Sequence, residues 1–204
     1  MIKLVKRKAS NASSKKILAA RVNYISDQNH KDHIGKNILP AKNYNCPTQS
    51  GDCFIDEVLK LDAAYKKYRE GMRGKRSPRL LEEVIYSSPE GAHLTDLERS
   101  SIEAMIIQQV GYSTACRAAW HIDQTTGRAD FHVLLAAKTT DYPPKVTLWA
   151  DFGGTGGLHI YAEFDRLDTR ITHDLNNSPL RVGMPKMKSA DEIRKKRASL
   201  ERIG

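Results

Sequence analysis

The chain has no apolar run near the roughly 20 residues that a membrane span requires, so membrane insertion is not expected. Its basic opening, Met1-Ile-Lys-Leu-Val-Lys-Arg-Lys8, lacks the following apolar stretch of about 7–15 residues that marks a secretory signal. A cytoplasmic location is the expectation. Cysteine is scarce: Cys46, Cys53 and Cys116 are an odd number with no Cys-x-x-Cys spacing. That argues against a disulfide framework and a structural zinc finger, and leaves reduced thiols. No internal repeat or low-complexity block interrupts the sequence. Acidic residues are missing from the beginning of the chain, where Lys3, Lys6, Arg7, Lys8, Lys15, Lys16 and Arg21 all precede Asp27.

What is present fits a folded domain that meets a polyanion. The 204 residues, 40% hydrophobic and 28% charged, suffice for one sizeable core. The net charge is +9 and the pI about 9.5. Both ends are basic, since Arg194, Lys195, Lys196, Arg197 and Arg202 load the C-terminal segment. A basic domain draws nucleic acid or an anionic membrane. No helical stretch carries the bulky apolar face that membrane binding prefers, which puts nucleic acid first.

Periodicity divides the chain into alternating elements. Ile2 to Val5 alternates as an opening strand. Leu18, Val22 and Ile25 stripe a helix from Lys15 to about Asp27, with Arg21 and Tyr24 beside the stripe. Residues 28–51 are polar and irregular and read as a long loop, a kind of segment that tends to be functional or mobile. A helix is expected over Asp52–Tyr68, a basic linker over Arg69–Pro78, and a strand over Arg79–Tyr86. Thr95-Asp-Leu-Glu98 is a capping box opening a helix to Val110. Strands follow at Thr114–Asp123, Ala129–Ala137 and Val146–Phe152, then a helix at Leu158–Leu175 and a short basic helix capped by Ser189. This order gives an α+β class with an antiparallel sheet flanked by helices. Residues 1–180 are expected to form the main domain and 181–204 a basic, helical tail. About 65 residues follow the second hairpin strand, too few for another large domain.

The stretch Trp120-His-Ile-Asp-Gln-Thr-Thr-Gly-Arg-Ala-Asp-Phe-His-Val-Leu-Leu-Ala-Ala137 is a hairpin with its turn at Thr125–Arg128. Alternate residues of a strand share a face. His121 and Asp123 are therefore on one face of the first strand, and Asp130 and His132 on one face of the second. If those faces coincide, His121, Asp130 and His132 can hold a divalent cation with open positions for substrate.

Three blocks in this order resemble a plasmid mobilisation relaxase of the HUH endonuclease superfamily. Leu18-Ala-Ala-Arg-Val-Asn-Tyr-Ile25 is similar to the helix with the family's nucleophilic tyrosine, which falls at Tyr24. Glu83-Val-Ile-Tyr and Pro89 precede a helix as in the family, and His121 to Ala137 matches its metal-binding hairpin. The resemblance covers about residues 15–137. It implies the superfamily's ferredoxin-like (RRM-like) sheet and a metal-dependent nickase of single-stranded DNA at a transfer origin. It also implies a 5′-phosphotyrosine and a free 3′-hydroxyl, with accessory mobilisation or coupling proteins as partners. No primase or helicase is expected behind it. The related replication and transposition nucleases generally carry their tyrosine after the metal motif; here Tyr24 precedes it.

One position departs from the family. Its His-hydrophobe-His is Asp130-Phe-His132 here, which either leans the site toward Mg²⁺ or Mn²⁺ or marks a degenerate site that binds DNA and cuts poorly. Asp123 either orients His121, helps take the tyrosine proton, or is an ordinary turn residue. His30 and His33 are candidate phosphate contacts, with exposed loop histidines as the plainer expectation. Glu83 reaches the metal or is merely solvated. Lys6, Arg7, Lys8, Arg21, Lys75 and Arg76 are the candidate DNA-backbone contacts. The Gly153–Gly157 run lacks the Lys-Ser/Thr ending of a phosphate loop and reads as a turn.

Overall fold

The computed structural model describes residues 2–5, 15–72, 80–110, 114–144, 157–189 and 192–195. In chain order the elements are β1 (Ile2–Val5), α1 (Lys15–Ser26), β2 (Lys36–Ile38), β3 (Lys42–Tyr44), α2 (Gly51–Tyr68), β4 (Leu81–Ser87), α3 (Asp96–Val110), β5 (Cys116–Asp123), β6 (Ala129–Ala136) and α4 (Gly157–Asn176). The expected class holds: helices flank an antiparallel sheet. Its order is β1-β4-β6-β5-β2, and β3 also pairs with β5. The segment expected as a loop over 28–51 contains β2 and β3. Each is only three residues long, so neither carries enough alternation to be read from sequence. The expected strand over 146–152 lies outside the described residues.

The hairpin β5–β6 is the centre of the sheet, and its two faces have different jobs. Trp120 lies opposite Phe131 in the register, and their rings stack with centroids 4.7 Å apart. Cys116, Ala118, Val133 and Leu135 join them against Ile102 and Ile106 of α3 and Phe164, Leu167 and Ile171 of α4. On the opposite face, Ala119, Leu134 and Ala136 pack beneath Leu18, Val22 and Ile25 of α1 and Phe54, Ile55 and Val58 of α2. The apolar stripes that define α1 and α2 in the sequence are the residues buried there.

Local signals fix the element ends. Ser50 caps α2 by accepting from the Cys53 backbone N–H. At α3, Thr95 N–H donates to Glu98 while Thr95 Oγ1 accepts from the Glu98 N–H, the reciprocal pair foreseen in the sequence. Ser189 and Glu192 repeat that arrangement at the start of the tail. In the β5–β6 turn Gly127 has a φ of +65°, and a Cβ there would collide with the His93 ring. Only glycine suits both demands. The three cysteines are free thiols.

One buried cation ties the site-bearing face together. Arg117, 7% exposed, donates to Asn43 Oδ1 at 2.7 Å, to the Gln49 carbonyl at 3.1 Å and to Ser26 Oγ at 3.3 Å. It thereby joins the end of α1 to the loop entering α2. Replacing Arg117 with Ala removes three charge-assisted bonds and leaves the Asn43 acceptor buried. We expect a loss of about 2–3 kcal/mol in urea unfolding, with the α1 end losing amide-exchange protection first.

Candidate functional site

The register answers the question posed by the hairpin. His121 is the direct partner of Asp130 and Ala119 that of His132, so the two polar faces coincide. Ile85 of β4 is the partner of His132, which puts Glu83 on the same face, two residues along. Ala119 is small, and that leaves room above the sheet for rings.

Helix α1 crosses this face and delivers Tyr24 in its last turn. The chain then turns through Asp27–His33 and brings two more histidines over the sheet. The Tyr24 ring lies 4.9 Å from His33, 5.0 Å from His30, 6.3 Å from His121 and 6.4 Å from His132, centroid to centroid. The His33 and His121 rings are 4.4 Å apart, and those of His121 and His132 are 4.2 Å apart. His33, expected as an exposed loop residue, is 1% exposed. One tyrosine and four imidazoles thus share a single cluster.

Each buried ring in the cluster has a hydrogen bond that sets its proton. His121 Nε2 is 3.0 Å from the Ile25 carbonyl, and His33 Nδ1 is 2.7 Å from the Asp27 carbonyl. A carbonyl only accepts, so those nitrogens carry the protons. In the neutral rings His121 Nδ1 and His33 Nε2 are left with lone pairs, and both atoms are buried without a hydrogen-bond partner. His132 Nδ1 is 3.2 Å from Glu83 Oε1, a carboxylate also paired with Arg21. Glu83, 3% exposed, is part of the site rather than solvated. Arg21, expected at the DNA, spans from Glu83 to the face of Tyr24, its guanidinium carbon 4.7 Å from the ring centroid.

The other expected site residues divide. Asp130 is engaged by Arg128 Nε at 3.0 Å, and Arg128 also holds Ser87 Oγ at 3.1 Å. Asp123 accepts from the Thr125 and Thr126 N–H groups at 2.9 and 2.7 Å, which makes it a turn-capping residue, and these bonds hold its carboxyl below the usual range. His121 is oriented by the Ile25 carbonyl instead. Lys6, Arg7, Lys8, Lys75 and Arg76 lie outside the described residues. His33 and Glu83 are the members that the sequence undervalued. Their signals were a His-x-x-His spacing in a long polar loop and a carboxylate within an apolar strand.

Among the described residues, no three His, Cys, Asp or Glu groups are already spaced to hold a metal ion. The donor chemistry nevertheless fits one. Buried imidazole nitrogens without protons, each oriented by an oxygen on the ring's far side, are what a metal-binding histidine requires. The chain matches no family model, and it matches no curated protein.

Burial, with His132 and His33 close by, depresses the His121 pKa to about 3. The neutral ring is therefore favoured in the folded state, and the unfolded chain binds the proton more readily. Stability contributed by His121 is complete above about pH 6.5 and is lost as pH falls toward 3. In EDTA, we expect the unfolding free energy of the native protein to fall by a few kcal/mol more over that window than that of His121→Asn. Parallel pH profiles for the two proteins would contradict it.

Proposed function

We propose that this protein is a metal-dependent nickase of single-stranded DNA, of the relaxase type, with Tyr24 as its nucleophile. The observation that carries the reading is the packing of Tyr24, at the end of α1, among His30, His33, His121 and His132. The reading is supported by an antiparallel sheet flanked by helices, compatible with a ferredoxin-like fold, whose neighbouring strands β5 and β6 carry His121 and His132. The basic charge suits a polyanionic substrate.

In the proposed reaction the Tyr24 hydroxyl oxygen attacks a DNA phosphorus. A tyrosyl O–P bond forms, the P–O3′ bond breaks, and a proton returns to the leaving 3′-oxygen. The tyrosine proton needs an acceptor, and the His30 ring lies 5.0 Å from that of Tyr24, centroid to centroid. His121 and His132 would hold a divalent cation such as Mg²⁺ or Mn²⁺, which when bound supplies charge neutralisation at a non-bridging oxygen. Glu83 holds His132 by its Nδ1 proton, and Arg21 balances Glu83 while flanking Tyr24. Arg21, beside the Tyr24 ring, is the proposed contact for an incoming phosphate. A cytoplasmic protein acting at a transfer origin, with accessory mobilisation or coupling proteins, completes the reading.

The test uses a random-sequence single-stranded DNA library labelled at its 3′ end, incubated with the protein and Mn²⁺. Label should migrate with the protein through a denaturing gel, because the 5′-phosphate side of the break stays on Tyr24. Tyr24→Phe should reduce the adduct by on the order of a thousandfold or more. Adduct formed equally by the variant would remove Tyr24 from the role. DNA binding without any adduct would point to a binding protein with a degenerate site.

A further inference from the structure

The hairpin alone offers Asp130 as the third donor beside His121 and His132, but the hydrogen bonds distinguish another candidate. The Asp130 carboxylate is held by the Arg128 guanidinium, so a cation there would compete with a positive charge already present. His33 differs on every count. It is buried, its Nδ1 proton is committed to the Asp27 carbonyl, and its Nε2 is buried without a hydrogen-bond partner. Its ring adjoins His121, which adjoins His132.

In all three rings one nitrogen faces an oxygen acceptor: Asp27 O, Ile25 O and Glu83 Oε1. The remaining nitrogens are His33 Nε2, His121 Nδ1 and His132 Nε2, and in a neutral ring each is a ligand atom. Two imidazoles bound to one cation through nitrogens at about 2.0–2.1 Å have centroids roughly 5 Å apart. The two adjoining pairs, at 4.2 and 4.4 Å, are slightly tighter than that, and the three rings are not already spaced around one point, so they must swing apart to share a cation.

We propose that His33, His121 and His132 are the metal ligands, with His33 of the α1–β2 loop standing where the strand pattern offers Asp130. This rests on the reading of the site as metal-dependent. Three neutral nitrogen donors bring no negative charge and are softer than carboxylate. The site therefore favours Mn²⁺, Co²⁺, Ni²⁺ or Zn²⁺ over Mg²⁺. It also makes metal binding report on the loop, because His33 is fixed only when residues 27–33 are folded over the sheet.

The test needs no DNA. The full chain, stripped with EDTA, is titrated with Co²⁺ and followed by visible absorption, alongside His33→Ala, His33→Gln and Asp130→Asn. We expect one Co²⁺ per chain, affinity lowered on the order of a hundredfold by either His33 substitution, and little change with Asp130→Asn. Far-UV circular dichroism checks that the variants fold. Independently of any variant, ring-nitrogen NMR of the native protein with Zn²⁺ should shift His33 Nε2, His121 Nδ1 and His132 Nε2 together. Unshifted His33, binding lost in Asp130→Asn but kept in His33→Ala, or no binding by the native chain would each overturn the assignment. His33-dependent binding without DNA cleavage would support the metal site and reject the nickase reading, so the two failures are separable.

Discussion

The Ile25 carbonyl in the last turn of α1 and the Asp27 carbonyl just beyond its end each meet a histidine ring. His121 Nε2 reaches Ile25 O from β5, and His33 Nδ1 reaches Asp27 O from the loop. Helix ends need such partners, but an imidazole used as a cap has a second consequence. Its proton is committed to the carbonyl, so its other nitrogen holds a lone pair and is buried without a hydrogen-bond partner. The same contacts fix where α1 ends relative to the sheet, and hence where Tyr24 lies. Docking of α1, tautomer choice and the position of the candidate nucleophile are one constraint.

Around that constraint the charges are balanced in layers. His132 leans on Glu83, Glu83 is paired with Arg21, and Arg21 covers a face of Tyr24. Removing Glu83 would take this partner from both the His132 proton and the Arg21 guanidinium, a cost larger than the net value of either bond itself. Arg128 does the same for Asp130 beside Ser87, at the rim near the hairpin turn. The site thus has an inner group of imidazoles and a separate carboxylate–guanidinium pair, although all these residues share one face of the sheet.

Much of the scaffold was legible in the sequence. Long periodic stripes such as Leu18–Val22–Ile25 and Phe54–Val58–Leu61 placed their helices, and the Thr95–Glu98 box gave the start of α3. Alternation in Trp120–Ala137 put His121, Asp130 and His132 on a common face, as the register shows. Harder to read were β2 and β3, whose three residues apiece are stabilised by pairing with β5 instead of by their own pattern. His33 escaped for a related reason: its burial arises from the return of the loop over the sheet, a long-range event with no local periodicity. Asp123 looked catalytic because it follows a histidine on one strand face, yet turn chemistry claims its carboxylate.

The central claim is that Tyr24 is the atom donor in a covalent step on DNA. Its most direct test is mass-spectrometric mapping of protein exposed to single-stranded DNA and Mn²⁺, then digested with trypsin and nuclease. A nucleotide phosphate should be found on the Val22–Lys31 peptide, whose single tyrosine is Tyr24. The same adduct on a peptide carrying Tyr44, Tyr65 or any other residue, with Val22–Lys31 unmodified, would contradict the account.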